Sequence, residues 1–158
     1  MENSIPTYQR NQFISFLQQN PVILMNRLTL FVVFFWFGIL KVFSLSPAET
    51  LVSHLHSQTI SSLVSIEKFL LILGLTECLI GLLWLFPKWT KIAFALFSAQ
   101  MITTFLPLFY LPDDTWQNGF ALTLTGQYII KNLVLIASAF TILMFSNPAI
   151  IKINAYNK

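Results

Sequence analysis

The sequence predicts an all-α integral membrane protein: four transmembrane helices in an antiparallel bundle, with short amphipathic helices at the N-terminus and in the first outer loop. Three observations predict it. Only 9% of the 158 residues are charged, against about 25% in a typical soluble domain. The apolar fraction is 56%, with 16 Phe, and a soluble chain of this size has more surface than so few charges can cover. The apolar residues also fall into four continuous runs, each near the roughly 20 helical residues that cross a bilayer core of about 30 Å. A membrane barrel would show many short alternating strands instead. The length sets one transmembrane domain over residues 1–158. Ordinary soluble domains, disordered tails and coiled coils are excluded.

Taken in order, residues Tyr8 to Leu17 carry Phe13, Ile14, Phe16 and Leu17 and read as a short helix on the inner membrane surface, ended near Pro21. The polar residues before the first span, with no small-residue cleavage site after a short apolar core, do not read as a cleavable signal. Span one runs roughly from Leu28 to Leu45. In the first outer loop, Ser46-Pro47-Ala48-Glu49 is a capping box with proline at the first helical position. Leu51, Val52, Leu55, Leu63 and Val64 then supply apolar positions for one or two short helices. Span two runs roughly from Phe69 to Phe86 and span three from Ile92 to Leu111, joined so closely that they are antiparallel neighbours. The second outer loop, Pro112 to Gly126, is polar and expected to be irregular. Span four runs roughly from Gln127 to Phe145.

Charge sets the orientation. Arg10, Arg27, Lys88, Lys91, Lys152 and Lys158 fall on one side of a four-span chain, while Glu49, Glu67, Asp113 and Asp114 fall on the other, with Lys68 at the membrane edge. By the positive-inside rule both termini are cytoplasmic. Trp84, Trp89, Tyr110, Trp116 and Tyr128 sit near span ends, as interfacial aromatics do. The basic residues are scattered, which excludes a nucleic-acid surface. The one cysteine, Cys78, excludes an internal disulfide or a cysteine-built metal site. His54 and His56 are two apart and do not share a helical face, so no metal site is expected from them.

The functional signal lies in the polar residues within the spans, where a charge costs on the order of 3 kcal/mol and faces a bundle interior. Three stand out: Lys41, Glu77 and Lys131. Counted at about 1.5 Å per residue, Glu77 lies near mid-membrane and the two lysines lie in the outer half. Helical Cα–Cβ bonds tilt toward the helix N-terminus. Span one runs outward and span two inward, so Lys41 and Glu77 are aimed at each other's depth and predict an ion pair. Lys131 tilts outward and is placed either in the same cluster or snorkelling to the surface. Gly38 with Lys41, and Gly74, Glu77, Cys78 and Gly81, form facing sides of spans one and two, small enough for close approach. Gln100, Thr103, Thr104 and Pro107 form a polar face of span three; Gln127, Lys131 and Ser138 share a face of span four, with Asn132 beside it.

The candidate ligand-binding residues are therefore Lys41, Glu77, Gln100, Thr103, Thr104, Lys131 and Asn132, in one cluster opening outward. The alternative is interhelical glue for Lys41, Glu77, Gln100, Thr103 and Thr104, and snorkelling for Lys131. With Lys41, Lys131 and Glu77 the pocket carries a formal charge of +1, suited to an anion or to an acceptor-rich headgroup such as a quinone carbonyl. No cofactor is built in: both histidines lie outside the spans, so no intramembrane haem pair exists, and there is no dinucleotide or phosphate loop.

The chain resembles the DoxX-like membrane family and its relatives, the RclC-type reactive-chlorine resistance proteins. The resemblance is carried by Arg27, Gly38-Ile39-Leu40-Lys41, Gly74-Leu75-Thr76-Glu77 with Gly81, Thr103-Thr104-Phe105, and above all Gly126-Gln127-Tyr128-Ile129-Ile130-Lys131-Asn132-Leu133-Val134-Leu135. It covers roughly residues 22 to 147. It implies a four-helix protein of the bacterial inner membrane, with Lys41, Glu77, Lys131 and Asn132 as its polar centre. It also implies a link to sulfur oxidation with quinone as acceptor, or to oxidative and chlorine stress. The expected function is an accessory in quinone/sulfur redox or oxidative-stress handling, without self-sufficient enzyme activity; any activity would be that of a quinone-linked oxidoreductase subunit. Its expected partners are the lipid bilayer, a membrane or periplasmic redox protein, or further copies of itself. The rival readings are a small-molecule transporter component and a structural subunit of a larger membrane complex.

Overall fold

The computed structural model describes residues 21–146. The surface helix expected over Tyr8 to Leu17, and the flanking charges Arg10, Lys152 and Lys158, lie outside the described residues.

Helix α1 spans Pro21–Val42, beginning nearly two turns before the predicted Leu28. Proline suits a first helical position, where its missing N–H would have no partner in any case. The apolar Val22–Met25 stretch then carries the helix through Arg27, which becomes an interior residue and not a flank. The helix also ends before the predicted Leu45. Ser44 turns left-handed, with φ 53°. Its N–H bonds Lys41 O at 3.2 Å, and the Leu45 N–H bonds Leu40 O at 2.8 Å. This paired-bond cap closes a helix through one left-handed residue.

Helix α2, Glu49–Thr59, occupies the first loop. The predicted capping box is half formed. The Ser46 hydroxyl accepts the Ala48 N–H at 3.3 Å, one residue short of Glu49, and the buried Glu49 Oε1 has no hydrogen-bond partner among the described residues. Helix α3 spans Ile66–Trp84, shifted toward the chain start from the predicted 69–86. A short 3-10 turn at Pro87–Trp89 leads into α4, Thr90–Phe105.

The predicted third span, 92–111, is not one uninterrupted helix. It breaks before the one-turn helix α5, Pro107–Tyr110, because Pro107 has no N–H for the Thr103 carbonyl. The Leu106 N–H takes that carbonyl instead, at 3.2 Å. The second loop, expected to be irregular, is ordered. It holds a helical turn α6, Pro112–Thr115, and a hairpin of β1, Trp116–Gln117, with β2, Ala121–Leu122. Trp116 pairs with Leu122 and Gln117 with Ala121 in antiparallel register. Gly119 supplies the positive φ, 72°, that the tight loop needs. Helix α7 spans Leu124–Phe145, three residues ahead of the predicted Gln127. Thr123 is its cap: the hydroxyl accepts the Gly126 N–H at 3.1 Å and donates to Asp114 O at 2.7 Å.

Helix α1 packs along α3, α1 and α4 each pack against α7, and α3 packs against α4. The α1–α3 seam is tight at two facing glycines. A Cβ on Gly38 would lie 2.7 Å from Gly74 O, and one on Gly74 would lie 2.8 Å from Gly38 O. Small residues permit such backbone contact between membrane helices. The core is made of Leu30, Phe34, Ile80, Trp84, Ala93, Phe97, Met101, Ala139 and Ile142. Phe97 lies against both Phe34 and Trp84, with ring centroids 5.3 and 5.8 Å away.

Large apolar side chains cover the outside, among them Val32, Trp36, Leu71, Leu75, Leu79, Ile102, Leu133, Val134 and Met144. Three helical stretches, Pro21–Val42, Pro87–Tyr110 and Leu124–Phe145, are long and apolar enough to cross a membrane. An apolar exterior over such helices is the signature of a membrane protein. Helix α3, with 19 residues, carries three charges, Glu67, Lys68 and Glu77.

Candidate functional site

The predicted Lys41–Glu77 pair is formed. Lys41 sits in the last turn of α1, where a cation also meets the negative end of the helix dipole. Glu77 sits in the middle of α3, brought within reach by the Gly38–Gly74 contact. Lys41 Nζ lies 2.6 Å from Glu77 Oε2, and the two side chains are only 8% and 11% exposed. Gln100, from the C-terminal half of α4, donates its amide N–H to Glu77 Oε1 at 3.1 Å. Both carboxylate oxygens therefore have donors. Burying a charge pair is tolerable only when its remaining lone pairs are satisfied in this way.

Beside this network is a cavity of about 150 Å³ walled by all four long helices. Its polar lining is Lys41, Glu77, Gln100, Thr104 and Asn132; its apolar lining includes Val33, Phe34, Phe37, Met101 and Leu135. Thr104 reaches the wall while its hydroxyl bonds Gln100 O at 2.9 Å. Asn132 donates to Tyr128 O at 3.3 Å on its own helix. Five of the seven predicted site residues thus line one cavity.

Thr103 and Lys131 do not. Thr103 is exposed and its hydroxyl bonds back to Gln100 O at 2.7 Å. Lys131 is exposed, with Nζ 5.0 Å from the centre of the Tyr128 ring. It follows the outward tilt and not the cluster. The consequence is electrostatic: with Lys41 and Glu77 alone, the cavity wall is formally neutral and not +1.

A second polar cluster was not foreseen. Arg27 is buried, 1% exposed. Its Nη1 donates to Trp84 O at 2.9 Å, and its Nη2 to Thr90 Oγ1 at 2.7 Å and Ser146 Oγ at 3.2 Å. One guanidinium therefore ties the end of α3, the start of α4 and the cap of α7. Its partners are a carbonyl and two hydroxyls, and the carbonyl-rich ends of α3 and α7 supply the compensating partial negative charge. Next to it, the Ser138 hydroxyl donates to Asn26 Oδ1 at 2.6 Å. The available signal was the apolar stretch ahead of Arg27, which extends the helix past it.

The two histidines are structural contacts of the loops that join the long helices. His54 Nδ1 lies 2.8 Å from Asp114 Oδ2, joining the two loops, and the buried His56 pairs through Nε2 with Val64 O at 2.7 Å.

Chemically, the cavity offers both kinds of hydrogen-bonding group. Glu77 takes one of the three N–H donors of Lys41, and the Gln100 amide oxygen is an acceptor. Its size is decisive. Drug-sized ligands occupy about 300–1,000 Å³, whereas about 150 Å³ holds one small ring. No family model, curated protein or solved structure matches the chain.

Proposed function

We propose that the protein is a DoxX-like four-span protein of the bacterial inner membrane, with both termini cytoplasmic. In this reading it holds a small acceptor-bearing molecule in the polar cavity, as an accessory to quinone/sulfur redox chemistry or oxidative-stress handling. Helix α3 is the fourth span. Glu67 and Lys68 lie in its first turn at the membrane edge, and its outward residues Leu71, Leu75, Leu79 and Leu82 are apolar and exposed.

One observation carries the ligand reading: a buried Lys41–Glu77–Gln100 network forms the wall of a cavity to which all four long helices contribute. Intramembrane charges mark functional sites by default. The neutral wall favours an uncharged head, such as a quinone ring, over a free anion. The fit is by size and by donors: a single ring matches about 150 Å³, with the Lys41 ammonium to meet a carbonyl. A bound quinone would supply electron acceptance; the chain's own residues would bind and orient the ring and exclude water. The electron donor would be a partner protein.

A second reading, interhelical glue within a larger complex, is favoured by the fact that Glu77 is already satisfied at both oxygens. A transporter is disfavoured. The packed Leu30, Phe34, Ile80, Phe97 and Ala139 lie between the Lys41 cluster and the Arg27 cluster, a dry barrier to a polar path.

The test is mass spectrometry of small molecules and proteins that co-purify in mild detergent, with Lys41→Met and Glu77→Gln alongside. A quinone or other carbonyl-bearing molecule lost in both variants is expected. A stoichiometric protein partner with no variant-sensitive small molecule would select the structural reading.

A further inference from the structure

The end of the bundle that buries Arg27 has an exposed surface of its own. There α1 starts, α3 ends, the Pro87–Trp89 turn crosses to α4, and α7 ends. Arg27 lies inside this end, and Lys88 and Lys91 are exposed outside it. Among the described residues no acid accompanies them. Glu77 is in mid-α3, and Glu49, Glu67, Asp113 and Asp114 belong to the opposite end. Neither lysine has an ion-pair partner among the described residues.

This charge is held on a fixed turn. Arg27 donates to Trp84 O at 2.9 Å and to Thr90 Oγ1 at 2.7 Å, so one guanidinium staples both sides of it. The Thr90 hydroxyl in turn donates to Pro87 O at 2.8 Å. Lys88 Nζ lies 5.7 Å from the centre of the Trp89 ring, and Lys91 follows three residues on. Both lysines border an apolar surface, since Leu82, Phe86, Trp89 and Ile92 are all exposed. Lipid tails meet that surface at Leu82, and four residues further, about 6 Å, the turn begins. An exposed tryptophan at the end of a span marks the headgroup level. Unneutralised basic charge at that level complements a lipid phosphate.

We infer that the Lys88–Lys91 surface is a docking site for an anionic phospholipid: its phosphate meets the two ammonium groups, and its upper acyl chains meet Phe86, Trp89 and Ile92. The site is independent of any ligand in the polar cavity and requires only that the chain spans a bilayer. A zwitterionic headgroup carries its own cation and gains less from the lysines, so the surface selects lipid by net charge. A soluble acidic partner would answer the lysines and leave the apolar border unmatched; an anionic lipid answers both.

The experiment uses the full chain in phosphatidylcholine nanodiscs doped with one of two probes, phosphatidylglycerol or phosphatidylcholine, each with the same photoreactive group on its head. Adducts are mapped by mass spectrometry. The expected result is phosphatidylglycerol adducts concentrated on residues 86–91, about fivefold or more above those of the phosphatidylcholine probe. Each basic residue near an anionic surface is worth about fivefold in binding, so Lys88→Gln with Lys91→Gln should lower the adducts about tenfold or more. Both side chains are exposed, so the fold is spared, and Lys131→Gln at the other end should change nothing. Raising the salt from about 0.05 M to about 0.5 M should weaken labelling of the wild type several-fold, a reading that needs no variant. Equal labelling by the two probes, or labelling unchanged in the double variant, would overturn the site. Displacement of the label by inorganic phosphate, and not by chloride at equal ionic strength, would assign the lysines to a free anion instead. An acidic protein that co-purifies and shields the turn from both probes would assign the surface to that protein. Either of these would overturn the lipid.

Discussion

Arg27 and Lys41 lie on one face of α1, about 21 Å apart along its axis, and Leu30, Phe34 and Gly38 fill the buried positions between them. One helix thus carries two buried cations, each at the centre of a polar cluster, with an apolar core between. The two have opposite solutions to the same problem. Lys41 is neutralised by a carboxylate at 2.6 Å, whereas Arg27 is held by the ends of three helices.

The Lys41 cluster gives the first prediction. Lys41→Met leaves Glu77 buried without its counter-ion and should destabilise the protein by about 3 kcal/mol or more. Adding Glu77→Leu should recover most of that, because packed apolar groups replace a buried pair at little net expense. Unfolding in mild detergent with graded denaturant measures both.

The Arg27 cluster gives the second. Arg27→Met should destabilise by about 2–4 kcal/mol, as three charge-assisted bonds are lost and the Thr90 and Ser146 hydroxyls lose a donor. Arg27→Lys should rescue less than half, since an ammonium cannot span a carbonyl and two hydroxyls as the planar fork does. Being remote from Lys41, Arg27→Met should add to Lys41→Met within about 0.5 kcal/mol, and the same unfolding assay checks this.

Much of this was readable in the sequence because the physics was local. The apolar runs locate the long helices, and side-chain tilt alone pairs Lys41 with Glu77. Helix ends are misplaced where a cap decides: the backbone bonds around Ser44 and the Thr123 hydroxyl set boundaries that hydropathy does not register. The break at Pro107 followed from a missing N–H inside an apolar run. Arg27 was hidden because a basic residue beside an apolar run reads as a membrane flank until the helix is extended past it. Lys131 was ambiguous because a long side chain near a helix end reaches water as easily as it reaches a neighbour.

The α1 cap gives a third prediction. Ser44 holds φ 53°, a region that costs a residue with a Cβ about 1–2 kcal/mol. Ser44→Gly should therefore stabilise the protein by about 1 kcal/mol, read as a raised unfolding midpoint, and leave ligand binding unchanged.

The glycine seam gives a fourth. Gly74→Ala places a methyl 2.8 Å from Gly38 O and 3.0 Å from Lys41 Cβ, so α1 and α3 must separate. A loss of about 1–3 kcal/mol is expected. Gly38→Ala opens the same seam, so the double variant should lose less than the sum of the singles. A strictly additive double would show that the seam is not shared.

The most direct test of the ligand reading is equilibrium binding of a tailless benzoquinone to the wild type and to the Lys41→Met, Glu77→Leu double variant, which is expected to keep the fold while removing the charged pair from the cavity wall. Saturable binding by the wild type, weakened about tenfold or more in the double variant, is the predicted result. Equal binding by both, or none by a folded wild type, would contradict it and leave the Lys41–Glu77–Gln100 network as interhelical glue.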